Sequence, residues 1–591
     1  MKRIVLMVLV VGVTLLSAMT KRSHHVEDDW EYNASAPLPS GANPLVQSRG
    51  VSGPMMGSPV AKSLTTSNIG MAVGGAKDVD NFVKNIEQGY LPKLHAITYE
   101  GQFYQHYFDT GLGELQCKEL FCPSYSTAKR KNHFADQEEY FLSVGLNSGM
   151  KAQDFKRKKL NLVVVLDISG SMGGTFNRYY YEQRQPHAKE ANATKVERKI
   201  EIATHAIVTM LSHLKDDDRL GIVLFDNQAY LAKPLRLVGK SDKEAIRNHI
   251  LELRERGGTN WSAGYQTALK LFEGLDRSSA YENRIIFLTD AMPNRGELSK
   301  DKLFGLAKKA SEAGIYTTFV GVGVDFNPDL VEYVSKTRGA NYFSVHSAQA
   351  FSKLLDEEFE YMVTPLVYDL VLKVESKGYA IEAVYGSPDA QRSMGEVMRV
   401  NTLFPSKQLA GKNRGGIILL KLKKIASGGE PLRLKLSYTD REGNAFYVDQ
   451  NASFKEIQGD YFDTTGIRKA ILISDYVTIM KNWIMDARAG CNDQIKWLME
   501  EYPQIMKRCM VFPPKRSLYP LVKTWERSAC PLQVSEGYHQ LFQEFKAHYL
   551  SEMKFLNDES LQEELKVLEM LLAVKPKSFK RSVVDDWRFK Q

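Results

Sequence analysis

The chain of 591 residues is longer than a single hydrophobic core usually supports, so we expect three or four structural units. Its hydrophobic content of 43% and charged content of 25% are those of an ordinary globular protein and exclude wholesale disorder. Lys and Arg outnumber Asp and Glu by 78 to 70, and this excess is too small and too scattered to indicate a nucleic-acid-binding protein.

The first residues have the features of a secretory signal. Two basic residues precede an apolar run over residues 4–16, which the small residues Ser17 and Ala18 follow. We therefore expect residues 1–20 to be a signal peptide or, if uncleaved, a membrane anchor. No later stretch is long and apolar enough to cross a bilayer, which predicts a secreted or extracytoplasmic protein, in the periplasm or at the cell surface.

A low-complexity region and a small β-rich unit are predicted next. Residues 21–78 are expected to be a tether, because Ser, Gly, Pro and Ala dominate and neither apolar period is present. The folded body is predicted to begin with residues 79–158, first as an amphipathic helix over 79–88. Two β-prone segments follow, an aromatic-rich stretch at 96–112 and a second at 139–147, which we expect to be strands of a small sheet.

The five cysteines fit an oxidising compartment without forming a disulfide scaffold. Cys117 and Cys122 are close enough in sequence for a local bridge, whereas Cys491, Cys509 and Cys530 lie in the last unit, so one cysteine is left over. A zinc site is the alternative, but the paired Cys-x-x-Cys spacing that zinc sites use is absent from the sequence.

Apolar strands alternate with helices of ten or more residues over residues 159–363. Strands are predicted at 160–166, 219–225, 284–289, 315–322 and 341–344, and helices at 195–215, 242–253, 262–275, 299–313, 328–336 and 348–362. Alternation of this kind produces β-α-β crossovers, so we predict an α/β fold with a doubly wound, mostly parallel sheet.

The remainder divides into a β-rich part and a helical part. Residues 364–458 are predicted to form a β-sandwich-like domain, with strands at 368–374, 399–403, 416–423, 432–438 and 445–448. Residues 459–591 are predicted to form a helical C-terminal domain, with amphipathic runs at 467–487, 536–550 and 561–572. A further hypothesis is that the segments on both sides of the central domain share one β-sandwich.

Oxygen-bearing side chains occur where the central strands are predicted to end. Asp167, Ser169 and Ser171 place one carboxylate and two hydroxyls on a turn directly after the strand at 160–166. Thr259 lies in a glycine-supported loop, and Asp290 is the residue at which another apolar strand stops. Ligands of a doubly wound fold bind outside the carboxyl ends of the strands, and hard oxygen atoms are what Mg²⁺ requires. These residues therefore predict a divalent-cation site.

The D-x-S-x-S run, followed by Thr259 and Asp290 in the expected order, resembles the metal-ion-dependent adhesion site (MIDAS) of von Willebrand factor type A domains. The resemblance implies that Ser169, Ser171 and Thr259 supply hydroxyl ligands, and that Asp167 and Asp290 coordinate directly or through water. It also implies Mg²⁺ as the cofactor, with Ca²⁺ or Mn²⁺ as alternatives, and a protein partner that offers a carboxylate.

The layout of the whole chain resembles that of bacterial secreted von Willebrand factor type A proteins, often labelled as homologues of calcium-activated chloride channel proteins. A polar insertion at 174–194 departs from the family pattern. Its Arg178 and three tyrosines would lie near the rim of the metal site, where they could orient an anionic ligand or cover the site. A surface loop without a role is the alternative.

The resulting interpretation is an extracytoplasmic, metal-dependent protein-binding or adhesion protein and not an enzyme. The sequence contains no H-E-x-x-H, G-x-x-x-x-G-K-[ST] or G-x-S-x-G motif, which leaves a metal-dependent hydrolase as the weaker alternative. The other alternative is an envelope assembly scaffold, in which the C-terminal helices dock a partner and the metal is structural. No nucleic-acid partner is expected, and membrane attachment would run through an uncleaved segment 1–20.

Overall fold

The computed structural model describes residues 26–33, 68–112, 117–134, 137–177, 198–275, 280–290, 296–297, 300–326, 328, 336–390, 397–426, 431–501 and 530–577. The predicted signal at 1–20 and residues 178–194 of the predicted insertion lie outside the described residues. The predicted helix at 328–336 also lies outside them, apart from its two end residues.

The described strands and helices are numbered here in chain order. The strands are β1 Asn68–Val73, β2 Gly75–Ala76, β3 Tyr107–Phe108, β4 Cys122–Lys131, β5 Glu138–Lys151, β6 Lys159–Asp167, β7 Arg219–Phe225, β8 Ala229–Leu237, β9 Tyr281–Thr289, β10 Ile315–Val322, β11 Asn341–Val345, β12 Val367–Glu375, β13 Tyr379–Tyr385, β14 Val397–Ser406, β15 Gln408–Leu409, β16 Lys412–Arg414, β17 Ile417–Lys424, β18 Leu432–Asp440, β19 Ala445–Ala452 and β20 Tyr461–Phe462. The helices are α1 Asp80–Glu87, α2 Tyr99–Tyr104, α3 Lys199–Leu211, α4 Lys243–Leu251, α5 Trp261–Lys270, α6 Lys300–Glu312, α7 Ala348–Glu357, α8 Phe359–Met362, α9 Thr465–Glu501, α10 Glu536–Leu556 and α11 Gln562–Ala573.

The central domain contains a seven-stranded sheet in the order β2-β11-β10-β9-β6-β7-β8. All neighbouring strands run parallel except the edge strand β8, which is antiparallel to β7. The chain moves outward from β6 to β8 and then returns to β9 on the other side of β6, so the strand order reverses between β6 and β9. The predicted α/β, doubly wound, mostly parallel sheet is confirmed.

Alternate side chains of β6 enter two different cores. Leu162, Val164 and Leu166 pack with helices α3, α4 and α7 on one face of the sheet. Val163 and Val165 pack with helices α5 and α6 on the other face. Helices cover both faces, so the strand is apolar along nearly its whole length, as the sequence indicates.

A second, ten-stranded sheet is assembled from both ends of the chain. Its long strand β5 pairs with β4 along one side and with β17 and β1 along the other. Strand β1 in turn pairs with β14, and β12, β18 and β19 continue the sheet. The strands of the predicted units 79–158 and 364–458 therefore form one sheet around a shared core, into which the central domain is inserted.

The prediction of a tether over residues 21–78 is wrong for two described segments. Residues 26–33, here named the strap, lie along the edge of the central domain, where the Glu31 amide donates to the Ala232 carbonyl at 2.8 Å. Further on, β1 joins the ten-stranded sheet and β2 joins the central sheet. Strand β1 is hard to recognise in the sequence because it contains small residues. At least one of them is required by the packing, since a Cβ atom on Gly70 would lie 2.8 Å from the Ser406 hydroxyl.

The prediction of strands over residues 96–112 is largely wrong. Helix α2 occupies Tyr99–Tyr104, and its first turn is capped by the Thr98 side chain, which accepts a hydrogen bond from the Gly101 amide. Only the two-residue strand β3 follows it. Aromatic residues are frequent in strands because they pack well on a pleated surface; here Phe103 and Phe108 find equivalent packing against the C-terminal helices.

The three predicted C-terminal helical runs are confirmed as α9, α10 and α11. Their apolar faces pack against the aromatic segment around β3 and against Ala128, Phe141 and Leu419 on the outer face of the ten-stranded sheet. The predicted helix at 348–362 is divided into α7 and α8 at Glu358.

Two cysteine observations bear on the compartment. Cys117 and Cys122 form the local disulfide that their spacing suggests, and Cys530 is also disulfide-bonded.

Within the described ranges, no helix combines the length and the apolar character that a membrane span needs.

Candidate metal centre

Four neighbouring parallel strands of the central sheet are each followed by a buried aspartate at the same edge. Asp167 is the last residue of β6, Asp226 and Asp290 come directly after β7 and β9, and Asp325 follows the end of β10 by three residues. All four are at most 3% exposed. The edge where the strand order reverses therefore carries a concentration of negative charge.

The turn after β6 is organised around the Asp167 carboxylate. Its Oδ1 accepts a hydrogen bond from the Ser169 amide at 2.8 Å, and its Oδ2 accepts one from the Thr289 hydroxyl at 2.7 Å. The Ser169 and Ser171 hydroxyls lie 3.0 Å apart and are both buried. The structure thus brings together the first three predicted ligands in one short turn.

The loop that carries Thr259 packs against this turn. The Gly170 amide donates to the Gly257 carbonyl at 3.1 Å. Gly257 has a positive φ of 72°, and a Cβ atom there would lie 3.0 Å from the Asn227 side-chain amide, so only glycine suits this position. Thr259 follows two residues later and is 1% exposed, directly before the residue that caps α5.

Asp290, the fifth predicted ligand, faces a buried cation. The Lys199 ammonium donates to Asp290 Oδ2 at 3.3 Å and also pairs with Asp325. Lys199 is the first residue of α3, and its side chain is fully buried. The second carboxylate oxygen, Asp290 Oδ1, is buried, and no described residue forms a hydrogen bond with it. A buried carboxylate oxygen left in this state is costly unless a further ligand reaches it.

The charges of Asp167 and Asp290 influence each other. Burial, and next the charge of Asp290, raises the pKa of Asp167 to about 7, although hydrogen bonds from Ser169 and Thr289 oppose the change. Burial alone would lower the pKa of Lys199, but the carboxylates of Asp325 and Asp290 outweigh it and raise that pKa.

The ionised groups at this edge carry an excess of negative charge, which a divalent cation would neutralise. Three carboxylates, those of Asp167, Asp290 and Asp325, face one ammonium, that of Lys199, so the group carries a net charge of −3 + 1 = −2 when all are ionised. By contrast, Asp226 is balanced: Arg256 Nε donates to it at 2.9 Å, and the Tyr230 hydroxyl donates at 3.0 Å.

The residues present fit Mg²⁺ in their chemistry. They are carboxylate and hydroxyl oxygens, the ligand atoms that hard cations prefer. Among the described residues, no group of three or more His, Cys, Asp and Glu side chains is arranged to hold a metal. A cation bound beside Asp167 and Asp290 would therefore depend on the hydroxyls of the turn and the loop for its remaining protein ligands.

Sequence reasoning missed Lys199, Asp325 and Thr289. Asp325 could have been found by applying the rule that identified Asp167 and Asp290, since it follows the apolar strand β10. Lys199 carried a weaker signal, a lysine directly before the apolar face of α3. Nothing in the sequence indicates that Thr289 turns its hydroxyl towards Asp167, because a threonine within a strand is ordinary.

Residues 162–293 match the family model described as von Willebrand factor type A domain. The chain contains a von Willebrand factor type A domain. The chain is also similar to several proteins. The uncharacterized protein YfbK of Escherichia coli (strain K12) is 25% identical over 232 residues, which are 38% of this chain and 35% of that protein. The inter-alpha-trypsin inhibitor heavy chain H1 of Bos taurus is 23% identical over 225 residues, 37% of this chain and 22% of that protein.

Similarity to these relatives is confined to part of each protein. The chain spans about a third of the length of YfbK and of a Synechocystis protein, sll0103, of which 37% is matched at 27% identity. Among solved structures, a von Willebrand factor type A protein from Catenulispora acidiphila covers 72% of this chain at 14% identity, with a TM-score of 0.42.

Proposed function

We propose that the protein is an extracytoplasmic, metal-dependent binding protein whose type A domain holds Mg²⁺ and grips an acidic group of a protein partner. One observation carries the proposal: Asp290 Oδ1 is buried with no hydrogen-bond partner among the described residues, while burial and then the charge of Asp290 raise the pKa of the buried Asp167 carboxyl. The two carboxylates repel each other, and a divalent cation between them would remove both the repulsion and the unsatisfied oxygen.

The five residues of the site would divide the task by chemical type. Asp167 and Asp290 would balance the two charges of the cation, directly or through water. The neutral hydroxyls of Ser169, Ser171 and Thr259 would complete the protein ligands without weakening the attraction for a further anion. The bound cation would supply a position for a carboxylate of the partner. Ca²⁺ or Mn²⁺ are the alternative cations.

A binding role for the metal is preferred to a structural one because the domain has enough buried apolar surface without it. Leu160 and the five residues 162–166 are completely buried. At about 1.5–3 kcal/mol for each side chain, they contribute on the order of 10 kcal/mol before entropy is counted. We expect EDTA to leave the circular dichroism spectrum nearly unchanged while it abolishes partner binding. Global unfolding on chelation would contradict the binding role.

Calorimetric titration of the full chain with Mg²⁺ tests the site directly. Asp290→Asn should reduce the affinity by about two orders of magnitude, because one of only two carboxylate ligands is lost. Asp216→Asn is the matched control, since Asp216 lies in the same domain with an 82% exposed side chain and should bind as the wild type does. Equal affinities in the two variants would rule out the site.

The partner is tested by capture from an envelope extract, with and without EDTA. A protein partner that offers a carboxylate should be captured only with Mg²⁺, and Asp167→Ala should lose it. Unchanged capture by Asp167→Ala would favour an assembly scaffold instead. Against that alternative, the described apolar residues of the C-terminal helices are largely buried against other parts of the same chain.

The apolar run at 4–16 and the disulfides support the extracytoplasmic location.

A further inference from the structure

The strap occupies a groove on the type A domain, at the edge opposite to β2. Its backbone follows the edge: the Glu27 amide donates to the Lys240 carbonyl at 3.0 Å, and the Asp242 amide returns a bond to the Glu27 carbonyl at 2.8 Å. We define the strap groove as the surface formed by Tyr230, Lys233, Ser241, His249 and Arg256.

Three strap side chains anchor it in this groove. The Lys233 ammonium donates to Asp29 Oδ2 at 2.9 Å, and both side chains are at most 3% exposed. The Ser241 hydroxyl donates to the same oxygen at 3.1 Å. The Trp30 ring stacks on the His249 ring, with 5.2 Å between centroids and 10° between planes. The groove therefore favours a segment in which an aspartate, able to form the buried ion pair, is followed directly by a tryptophan, able to stack on the histidine ring.

The third anchor is an aromatic ring two residues after the tryptophan. Tyr32 packs edge-on against Tyr230 with ring centroids 5.3 Å apart, and the Arg256 guanidinium lies 5.7 Å from the Tyr32 ring centroid. A fourth, more exposed contact joins Asp28 Oδ2 to His249 Nε2 at 2.9 Å.

The same pattern occurs a second time in the sequence. Residues 26–32 read Val-Glu-Asp-Asp-Trp-Glu-Tyr, and residues 583–589 read Val-Val-Asp-Asp-Trp-Arg-Phe. Two of the six tryptophans in the chain, Trp30 and Trp587, follow an Asp-Asp pair, and both are followed two residues later by an aromatic residue. Residues 583–589 lie outside the described residues, so the comparison concerns their sequence alone.

The positions that match and differ correspond to the roles of the strap residues. The Asp-Asp-Trp core and the final aromatic ring are shared, and these are the positions whose side chains contact the groove. The two motifs differ in chemical type at the positions of Glu27 and Glu31. Both residues have exposed side chains and bind the groove through their backbone amides. Val26 and Asp28 are exposed and are also shared, as Val583 and Asp585, and of these Asp28 contacts His249.

The second motif is too far from the groove of its own chain. Lys577, the last described residue, is held against the Val534 carbonyl, and α11 packs on α1, which lies beside β11. The groove lies at β8, five strand spacings from β11, or about 24 Å even before the helix layer is added. The six steps from Lys577 to Val583 permit a span of at most about 22 Å, which is shorter than this distance.

We propose that the strap groove of one copy binds residues 583–589 of a second copy in place of its own strap. Asp586 would take the place of Asp29 against Lys233, and Trp587 that of Trp30 against His249. The contact is head-to-tail, so repetition would generate chains or rings of copies.

The strap controls this association because it competes for the same groove. Residues 34–67 join it covalently to β1, so the strap meets the groove within its own chain, at an effective concentration on the order of millimolar. A second copy would therefore gain access where the strap is released or where copies are concentrated. Weakening the strap should create an assembly, which is the opposite of what ordinary destabilisation does.

Peptide binding is the first test, made by fluorescence anisotropy with a labelled peptide of residues 581–591. The receptor is the full chain with Trp30→Ala and Trp587→Ala, which weakens two competitors, the strap of the same copy and residues 583–589 of other copies. We expect saturable binding, an affinity loss of about 30-fold when the peptide carries Trp587→Ala, and a change of less than about threefold with Val584→Glu. His249→Ala in the receptor should weaken binding, whereas the matched control His213→Ala, also paired with an aspartate, should not.

Light scattering of the full chain is the second test. Trp30→Ala should raise the average mass with increasing concentration, and adding Trp587→Ala should return it to one chain. Failure of the 581–591 peptide to bind overturns the proposal, whether or not a peptide of residues 24–34 binds. A Trp30→Ala protein that stays monomeric at all concentrations while the peptide binds would overturn the second copy as the occupant.

Discussion

Two buried lysines of the type A domain face buried aspartates in different ways. Lys199 contacts Asp290 and Asp325, which lie at fixed positions after strands of the same sheet. Lys233 forms an ion pair with Asp29 and also donates to the carbonyls of Leu220 and Pro234. Asp29 belongs to the strap, which residues 34–67 separate from β1. Each site contains one buried carboxylate oxygen with no hydrogen-bond partner among the described residues, Asp290 Oδ1 in the first and Asp29 Oδ1 in the second. The two sites differ in net charge: the first is negative when its groups are ionised, and the Lys233–Asp29 pair is neutral. An excess of negative charge, more than an unsatisfied oxygen, therefore distinguishes the edge at which a cation is expected.

Removal of the fixed lysine should have the largest effect. Lys199→Met leaves the carboxylates buried with no counter-ion, and we expect a loss of about 3–5 kcal/mol in the free energy of unfolding, measured by urea in EDTA. Mg²⁺ should restore part of this loss and should stabilise the variant more than the wild type, because the site has become more negative. Identical urea unfolding curves of the variant in Mg²⁺ and in EDTA would contradict the hypothesis that the excess negative charge of this cluster is neutralised by a cation.

Removal of the other lysine should cost less. Lys233→Met leaves Asp29 unpaired, but the strap can leave the groove and return that carboxylate to water. We expect a loss of about 1–3 kcal/mol in the free energy of unfolding and no difference between Mg²⁺ and EDTA. Release of the strap should also change the environment of Trp30, and fluorescence emission can follow it. Rescue of this variant by Mg²⁺ would remove the distinction between the two lysines.

The pH dependence of metal binding should be the next effect in size. The pKa of Asp167 is raised from 3.8 to about 7, so below that pH a proton must leave before Mg²⁺ binds. The affinity should fall by roughly tenfold for each pH unit below 7, measured by calorimetry.

The same shift predicts the stability of the metal-free protein. The folded state holds a proton that the unfolded state has already released, so stability decreases as the pH rises from about 4 to about 7. Asp167→Asn should remove this slope. An affinity for Mg²⁺ that is constant across this range would show that Asp167 is not a ligand.

The smallest expected effect concerns the last anchor of the strap. Tyr32→Phe retains the ring that packs against Tyr230 and Arg256, so the free energy of unfolding should change by less than about 0.5 kcal/mol. Tyr32→Ala should lose about 1 kcal/mol, because the ring contacts are removed. Phe589 stands at the corresponding position of the second motif, so a large loss with Tyr32→Phe would show that the two motifs are not equivalent.

The central sheet could be predicted because its rules are local. Each of the strands β6, β7, β9 and β10 is a short apolar run, followed after a turn by a polar residue, with a helix before the next parallel strand. That pattern places Asp167 and Asp290 at one edge without any knowledge of tertiary contacts. The five candidate metal ligands likewise occur at recognisable places along the chain, which is why they could be selected from the sequence.

The ten-stranded sheet followed no local rule. Pairing of Gly70 with Ser406, or of Leu142 with Leu420, joins residues that lie hundreds of positions apart, and no periodicity encodes which strand is the partner. The strap was missed for a related reason. Eight residues with no apolar period have no preference of their own, and Asp29 becomes a core residue only because Lys233 is buried opposite to it.

The α/β order of the central domain, the turn that carries Asp167 and the residue types that a hard cation prefers can all be read from the amino-acid order. The balance of charge becomes visible once the chain is folded. Asp226 is then paired with Arg256, Lys199 contacts both Asp290 and Asp325, and Asp290 Oδ1 has no hydrogen-bond partner among the described residues. The physical reason is that the energy of a buried charge depends on every charge and hydrogen bond within a few ångströms of it, and those neighbours come from elements far apart in the chain.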